Sequence, residues 1–367
     1  MPALPADASR PAPVAPALTR PTPGRRARLS AALQRLWWTQ PPTAAARALQ
    51  PLASLYTRLA WLHRALSRPR SVGLPVVVVG NLIVGGAGKT PTTITVVHLL
   101  RAYGWSPGVV SRGHGRRGRG VFEVQRDSPA ALCGDEPLLI RRRTGVPVMV
   151  AADRVAAARA LRAAHPQVDI IVADDGLQHH ALARDLEVVV FDERGAGNGL
   201  ALPAGPLREA LPAVTPASTL VLYNAAYVTT PLPGWLATRR LAGVVPLAAW
   251  WQGQGPGADS WLALQGRPLL AAAGMAAPER FFAMLRDQGL TLHATLALPD
   301  HDRFDTLPWP PTTTDVLVTE KDAVKLVAHR ELLEGRGTQV WVVPLDFEPD
   351  VAFAAALKRH FPHPPKH

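Results

Sequence analysis

The sequence predicts an α/β fold: a mostly parallel sheet with helices on both faces, and behind it a smaller α/β second domain. Three observations carry this. Apolar runs such as "VVVVG", "VDIIVADDG" and "LEVVVFDE" do not alternate with polar residues, as suits strands buried on both faces. Helical stretches such as "TPTTITVVHLLRAYG" and "DRVAAARALRAAH" lie between such runs, and strands alternating with helices build parallel sheets. Between the first strand and its helix stands "GNLIVGGAGKTP", a glycine-rich loop of the kind found in P-loop NTPase-like folds.

Residues 1–27 have prolines throughout and no continuous apolar core, so they read as a disordered Pro/Arg-rich tail and not as a signal peptide. From Leu29 a helical pattern begins, breaks at Pro41-Pro42 and resumes in "TAAARALQPLASLYTRLAWLHRALSR". There Leu49, Leu52, Leu55, Leu59, Leu62 and Leu66 recur at helical spacing among Arg47, Arg58, Arg64 and Arg68, which reads as one amphipathic helix. Its leucine face packs on its own domain, meets a membrane interface, or does both, with Trp37 and Trp38 at the headgroup level. No run reaches the ~18 uninterrupted apolar residues of a spanning helix.

Beyond the glycine-rich loop come the helix "TPTTITVVHLLRAYG", the strand and turn "SPGVVSRG", the helix "GDEPLLIRRRTG", the strand "VPVMVA", the helix "DRVAAARALRAAH" and two further buried strands. They complete a first domain at 28–230. A second rhythm follows: strand "RPLLAAAGM", helix "PERFFAMLRDQG", strand "LTLHATLA", then "TDVLVTEKDAVKLV" and strand "QVWVVPLD". Pro278 followed by Glu279 is a favourable helix start. The smaller α/β domain is placed at 231–350, with a C-terminal helix or tail at 351–367.

With 367 residues there is ample material for two buried cores. Cys133 is the single cysteine, which forbids an intrachain disulfide and points to a reducing, cytoplasmic setting. The formal net charge is +12, and nearly all the positive charge is arginine. Such an excess serves nucleic acid, a membrane surface or an anionic substrate. Residues 1–70 hold one acid, Asp7, but no aromatic stacking platforms accompany the arginines, so nucleic acid is not expected as a partner. Against this arginine bias, Lys89 is the one lysine between Met1 and Glu320. That usage suggests that the position needs a compact ammonium.

Lys89 lies in the loop. Gly85, Gly86 and Gly88 permit the tight turns that aim successive N–H groups at phosphate oxygens, with a helix N-terminus next to them. Lys89 would reach the β/γ-phosphates of a nucleotide and Thr90 would hold Mg²⁺. One position departs from the general pattern: Ile83 stands where its first glycine belongs. Asp174 and Asp175 end an apolar strand, where an aspartate helps to hold Mg²⁺ in P-loop folds. Asp135 and Glu136 open a helix, either as local N-terminal acids or as a base accepting a hydroxyl proton. His301, between Asp300 and Asp302, carries the same ambiguity.

"VVVVGNLIVGGAGKTP", "VVSRGHGR", "GDEPLLI", "VAADR", "ADDGLQH", "GNGLALPAGPLRE", "AAAGMAAPERFF", "PDHDRF" and "TEKDAVK" occur in the order seen in the tetraacyldisaccharide 4'-kinases, the lipid A kinases of Gram-negative bacteria, which this chain resembles over roughly 49–346. That family shares the shifted loop, so Ile83 is no departure from it. The resemblance implies transfer of the γ-phosphoryl of ATP, with Mg²⁺, to the 4'-hydroxyl of a tetraacylated glucosamine disaccharide 1-phosphate, giving lipid IVA. It implies a peripheral enzyme at the cytoplasmic face of the inner membrane, expected to act as a monomer. Gly85, Gly86, Ala87, Gly88, Lys89, Thr90 and Gln178 would hold the nucleotide, and Thr90, Asp174 and Asp175 the metal. Asp135 matches the family's base and His301 its partner from the other domain, with Lys89 also catalytic. Arg112, His114, His179 and Arg208 would lie near the acceptor. His114 replaces the family's usual tyrosine, so a role that needs a phenol does not transfer.

Two rivals remain at this stage. A membrane-associated regulatory ATPase or GTPase would share the loop, but "TEKD" puts Glu320 where a guanine-gripping N/T-K-x-D motif has lysine. A kinase of a soluble small molecule would have no use for the Leu/Arg helix.

Overall fold

The computed structural model describes residues 25–364 except 301 and 303, and of residues 25–31 the backbone only. The expected tail therefore lies outside the described residues up to residue 24. The chain begins with α1 (Arg25–Trp38), α2 (Ala44–Ala48) and α3 (Gln50–Leu66). The single helix expected over 43–68 is thus broken at Leu49. Pro51 is the cause: it has no N–H to donate to the preceding turn, and it sits instead in the first turn of α3, where that donor is not needed.

The first unit continues with β1 (Val76–Gly80), α4 (Lys89–Ala102), β2 (Pro107–Ser111), β3 (Phe122–Glu123), α5 (Ala130–Cys133), α6 (Asp135–Thr144), β4 (Val148–Val150), α7 (Arg154–Ala164), β5 (Ile170–Asp174), β6 (Leu186–Asp192), β7 (Thr219–Asn224) and β8 (Trp235–Leu241). The second comprises β9 (Val245–Pro246), α8 (Leu247–Trp251), β10 (Leu269–Ala273), α9 (Pro278–Asp287), β11 (Leu292–Ala297), β12 (Asp315–Thr319), α10 (Glu320–Ala323), α11 (Arg330–Arg336) and β13 (Gln339–Val343). Then β14 (Leu345–Pro349) and α12 (Val351–His360) return to the first.

Nine strands form the large sheet in the order β14-β8-β7-β6-β1-β5-β2-β4-β3, and five form the small one in the order β11-β10-β12-β13-β9. The large sheet is parallel from β8 to β4, with β14 and β3 antiparallel at its edges. Both β8 and β14 belong to it, so residue 231 marks no change of sheet and the small sheet is confined to 245–343, inside the expected 231–350. The segment expected as a C-terminal helix or tail contains α12, which packs on the large sheet, Phe353 and Leu357 sharing its core.

β1 explains the layering. Side chains alternate along a strand, so Val77 and Val79 join the core made with α4, α6 and α12, while Val76 and Val78 join the core made with α7. The core around α4 and α6 runs on without a break into Ala272, Val316, Val318 and Val340 of the small sheet. Phe281, Phe282 and Leu285 of α9 cover that sheet's other face. Helix starts follow local chemistry: Asp153 caps α7 by accepting from the N–H groups of Val155 and Ala156, and Pro278 opens α9.

Candidate active site

The loop that follows β1 and Asp192 at the end of β6 line a cavity of ≈ 1140 Å³ that residues of both sheets enclose. Gly86, Ala87, Gly88, Lys89 and Thr90 line it from the large sheet, and Met275, Asp300 and Lys321 from the small one. Gly85 instead borders a neighbouring cavity of ≈ 600 Å³ beside Trp37 and Trp38.

The loop is held from beneath. Ile83 is fully buried and bridges to Leu207; the N–H of Val84 donates to the Pro206 carbonyl at 2.9 Å, and the N–H of Arg208 to the Leu82 carbonyl at 2.7 Å. Those are main-chain contacts that any residue at 83 could make; what isoleucine adds is a side chain buried in the same core as Leu207, which a glycine would leave unfilled. Gly88 has φ 92°, and a Cβ there would lie 2.2 Å from Nδ2 of Asn224, which donates to the Ala87 carbonyl at 3.1 Å. Gly88→Ala is accordingly expected to cost roughly 1–3 kcal/mol of stability through left-handed strain and collision. Urea titration measures it; an unshifted midpoint would mean that the loop is not seated on Asn224.

The Lys89 ammonium lies 3.4 Å from the Gly85 carbonyl oxygen and 3.8 Å from Oδ1 of Asp175. Asp174 is buried beneath it, accepting from the hydroxyls of Thr93 at 2.9 Å and Ser111 at 3.1 Å. Burial, then the neighbouring Glu136 and Asp175 carboxylates, push its carboxyl up to about 7, while the Thr93 hydrogen bond and Lys89 pull it down. Asp175 adopts φ 48°, unusual for a residue with a side chain, and its buried Oδ1 has no hydrogen-bond donor. Two carboxylates so placed favour a cation between them and a nucleotide. Among the described residues no group of three or more His, Cys, Asp or Glu side chains is placed to hold a metal ion.

Arg208 lies 3.7 Å from Asp175 and donates to Oε1 of Gln178 at 3.2 Å, while Gln178 donates to Glu209. Arg154, which the sequence reading did not single out, is buried and donates from Nη2 to the Asp175 carbonyl at 3.3 Å. Its own N–H donates to Nε2 of His179. Burial, then Arg154, hold the His179 pKa below its ordinary value, so the ring is neutral and its 3.7 Å approach to Asp153 is not a charged pair. Arg112 and His114 are exposed on the loop after β2.

Asp135 sits at the start of α6, 7% exposed, with Oδ1 accepting from the N–H of Glu136 and Oδ2 3.8 Å from the Lys325 ammonium. His301 lies outside the described residues; its neighbour Asp300 lines the cavity. Cys133, just before α6, is buried, and burial raises its thiol pKa to about 12, consistent with a packed and inert residue. Glu320 accepts from Arg143 at 2.8 Å and from the Trp250 indole at 3.1 Å, so it braces the two sheets and offers no grip for guanine.

The sequence reading also passed over Lys321, Lys325 and Arg194. Arg194 donates to the Gly86 carbonyl, pairs with Asp192 and stacks on Trp38, joining α1 to the loop. The lysines had a signal, the same scarcity that marked Lys89.

A family model described as tetraacyldisaccharide-1-P 4'-kinase matches residues 45–362. A tetraacyldisaccharide 4'-kinase of Methylibium petroleiphilum is 58% identical over 92% of this chain and 95% of its own, and one of Leptothrix cholodnii is 53% identical over 92% and 98%. A crystal structure of LpxK from Aquifex aeolicus, described as an "apo" form in complex with ATP, superposes with a TM-score of 0.69 at 22% identity, covering 86% of this chain and 99% of that one. At that identity the superposition speaks for the fold alone. The family match and the identities do more: the chain belongs to the tetraacyldisaccharide-1-P 4'-kinase family.

Proposed function

We propose that this protein transfers the γ-phosphoryl of ATP to the 4'-hydroxyl of a tetraacylated glucosamine disaccharide 1-phosphate, giving a lipid A precursor. The observation that carries the mechanism is one cleft lined by the glycine-rich loop of the large sheet, by Glu136 and by residues of the small sheet, with the buried carboxylate of Asp135 next to Glu136 at the start of α6. A secondary sugar hydroxyl is a poor nucleophile, so the site must supply position, a proton acceptor and charge neutralisation.

In this reading the N–H groups of Gly85 to Gly88 and the Lys89 ammonium hold the β- and γ-phosphates, with Gln178 nearby. Asp135 takes the proton from the 4'-hydroxyl, aided by His301. Arg208, Arg112, His114 and His179 face the acceptor. Thr90, Asp174 and Asp175 would hold Mg²⁺, which when bound neutralises phosphate charge. Closure of the two sheets on each other keeps water from the γ-phosphoryl.

The acceptor is a lipid, and α3 supports work at its surface. Leu52, Leu55, Leu59, Leu62 and Leu66 are 45–72% exposed, and so is Trp61. The stripe does not pack on its own domain; Ala53 is buried, and Tyr56 donates to the Arg208 carbonyl at 3.0 Å. Among the described residues no helix is long and apolar enough to cross a membrane. This reading seats the protein peripherally on the cytoplasmic face of an inner membrane. Leu55→Glu with Leu59→Glu is expected to cut sedimentation with anionic liposomes about tenfold or more, since each change removes apolar burial worth ~1.5–3 kcal/mol. Unchanged sedimentation would remove α3 from membrane contact.

The test of function is label transfer from γ-labelled ATP with Mg²⁺ to the tetraacyl disaccharide 1-phosphate, compared with soluble sugars. Label on the lipid alone supports the reading; ATP hydrolysis with no labelled lipid would sink it in favour of a regulatory ATPase.

A further inference from the structure

The acidic start of α6 is met by two ammonium groups from the other sheet. Lys321, in α10, places Nζ 3.4 Å from Oε1 of Glu136 and 3.1 Å from Oδ1 of Asp300. Lys325, one helical turn further on, places Nζ 3.8 Å from Oδ2 of Asp135 and 3.0 Å from Oδ1 of Asp322, with the Phe304 ring 5.3 Å away. Asp322 is itself fixed: fully buried, it accepts from the Gly274 N–H at 2.9 Å and the Thr319 hydroxyl at 2.7 Å. The second ammonium is thus mounted on a rigid carboxylate in α10, directly after β12, and reaches toward Asp135 at the start of α6. The chain has five lysines against 35 arginines; Lys89 and Lys321 line the cavity, and Lys325 is buried beside the start of α6. A compact ammonium can pair with two carboxylates from a single atom, a geometry that a planar fork reproduces only in part. Burial would pull the Lys321 ammonium down, but Glu136, Asp135 and Asp300 together outweigh it and hold its pKa above the ordinary value, so it stays charged.

We propose that Lys321 and Lys325 are positioning residues that reach from the small sheet to hold the Asp135–Glu136 pair in its reactive orientation, so that the proton acceptor is set only when the two sheets are engaged. This rests on the kinase reading with Asp135 as base. In an open arrangement the two carboxylates would lose these two counter-charges. Proton acceptance is thereby tied to closure, which disfavours idle hydrolysis of ATP.

The experiment is a double-mutant cycle on the full chain, with the lipid acceptor and γ-labelled ATP. Lys321 leads because it lines the open cavity, whereas Lys325 is buried and its loss endangers the fold. Lys321→Gln is expected to lower kcat on the order of 10²-fold, the cost of misplacing a reacting group by about 1 Å, with KM for ATP within about twofold. Lys321→Arg keeps the charge and is expected to recover part of the rate. In an Asp135→Asn background Lys321→Gln should add little further loss, because the lysine acts through the carboxylate. A raised KM for ATP at unchanged kcat would make Lys321 a nucleotide ligand, and an additive loss in the Asp135→Asn background would make it independent of the base; either overturns the proposal. An Asp135→Asn variant at the wild-type rate would instead overturn the kinase base assignment, whatever the lysines do. Thermal melting of each variant separates these results from failure to fold.

Discussion

Lys89→Ala is expected to lower phosphoryl transfer to the lipid on the order of 10²–10³-fold while leaving the fold intact. The magnitude is that of removing one preorganised charge aimed where negative charge develops. The fold should survive because Lys89 lines the cavity and its ammonium's partners in the structure are a loop carbonyl at 3.4 Å and a carboxylate at 3.8 Å, neither of them an apolar core contact. Lys89→Arg is expected not to restore the rate: a guanidinium carries its charge on a wider plane than the space between Gly85 and Asp175 is shaped for. Label transfer from γ-labelled ATP, with circular dichroism on the same samples, is the measurement. A Lys89→Ala enzyme within about threefold of wild type would mean that the loop does not hold the transferred group.

Asp135→Asn is expected to lower kcat about 10²–10⁴-fold, the usual range for a general base, with KM for ATP nearly unchanged. Asparagine keeps the shape, and its oxygen still accepts the Glu136 N–H that Oδ1 accepts now. Lys325 keeps Asp322 at 3.0 Å, so no buried ammonium is stranded. Steady-state kinetics with the lipid acceptor decide the matter, and a variant with normal kcat would transfer the base role to another group at this rim.

These expectations rest on features with different visibility in the sequence. The parallel sheet was legible because strand and helix periodicities are local: β1, β5 and β6 are apolar without alternation, and each lies with both faces buried. The glycine-rich loop was legible for the same reason, since its turns and helix start follow from neighbours in the chain. The helix over 43–68 was legible in its stripe but not in its break at Leu49, although Pro51 is visible there. Whether that stripe faced inward or outward was not legible, because a helix pattern does not say what covers it. Nor was the membership of β8 and β14, which pair with each other at the edge of the large sheet across more than a hundred residues.

By itself, then, the sequence determined the α/β layering, the glycine-rich loop with Lys89 and the family to which these motifs belong, and it raised phosphate binding at Lys89 and a metal at Asp174 and Asp175 as expectations. Only the tertiary structure decided how they are braced: Ile83 against Leu207, Glu320 between Arg143 and Trp250, Lys321 and Lys325 against the start of α6, and the leucine stripe left open to solvent. The physical reason is range. Periodicity and turn chemistry act within a few residues, whereas charge pairing and face-to-face burial join positions more than a hundred residues apart, and those pairings exist only once the two sheets have packed together.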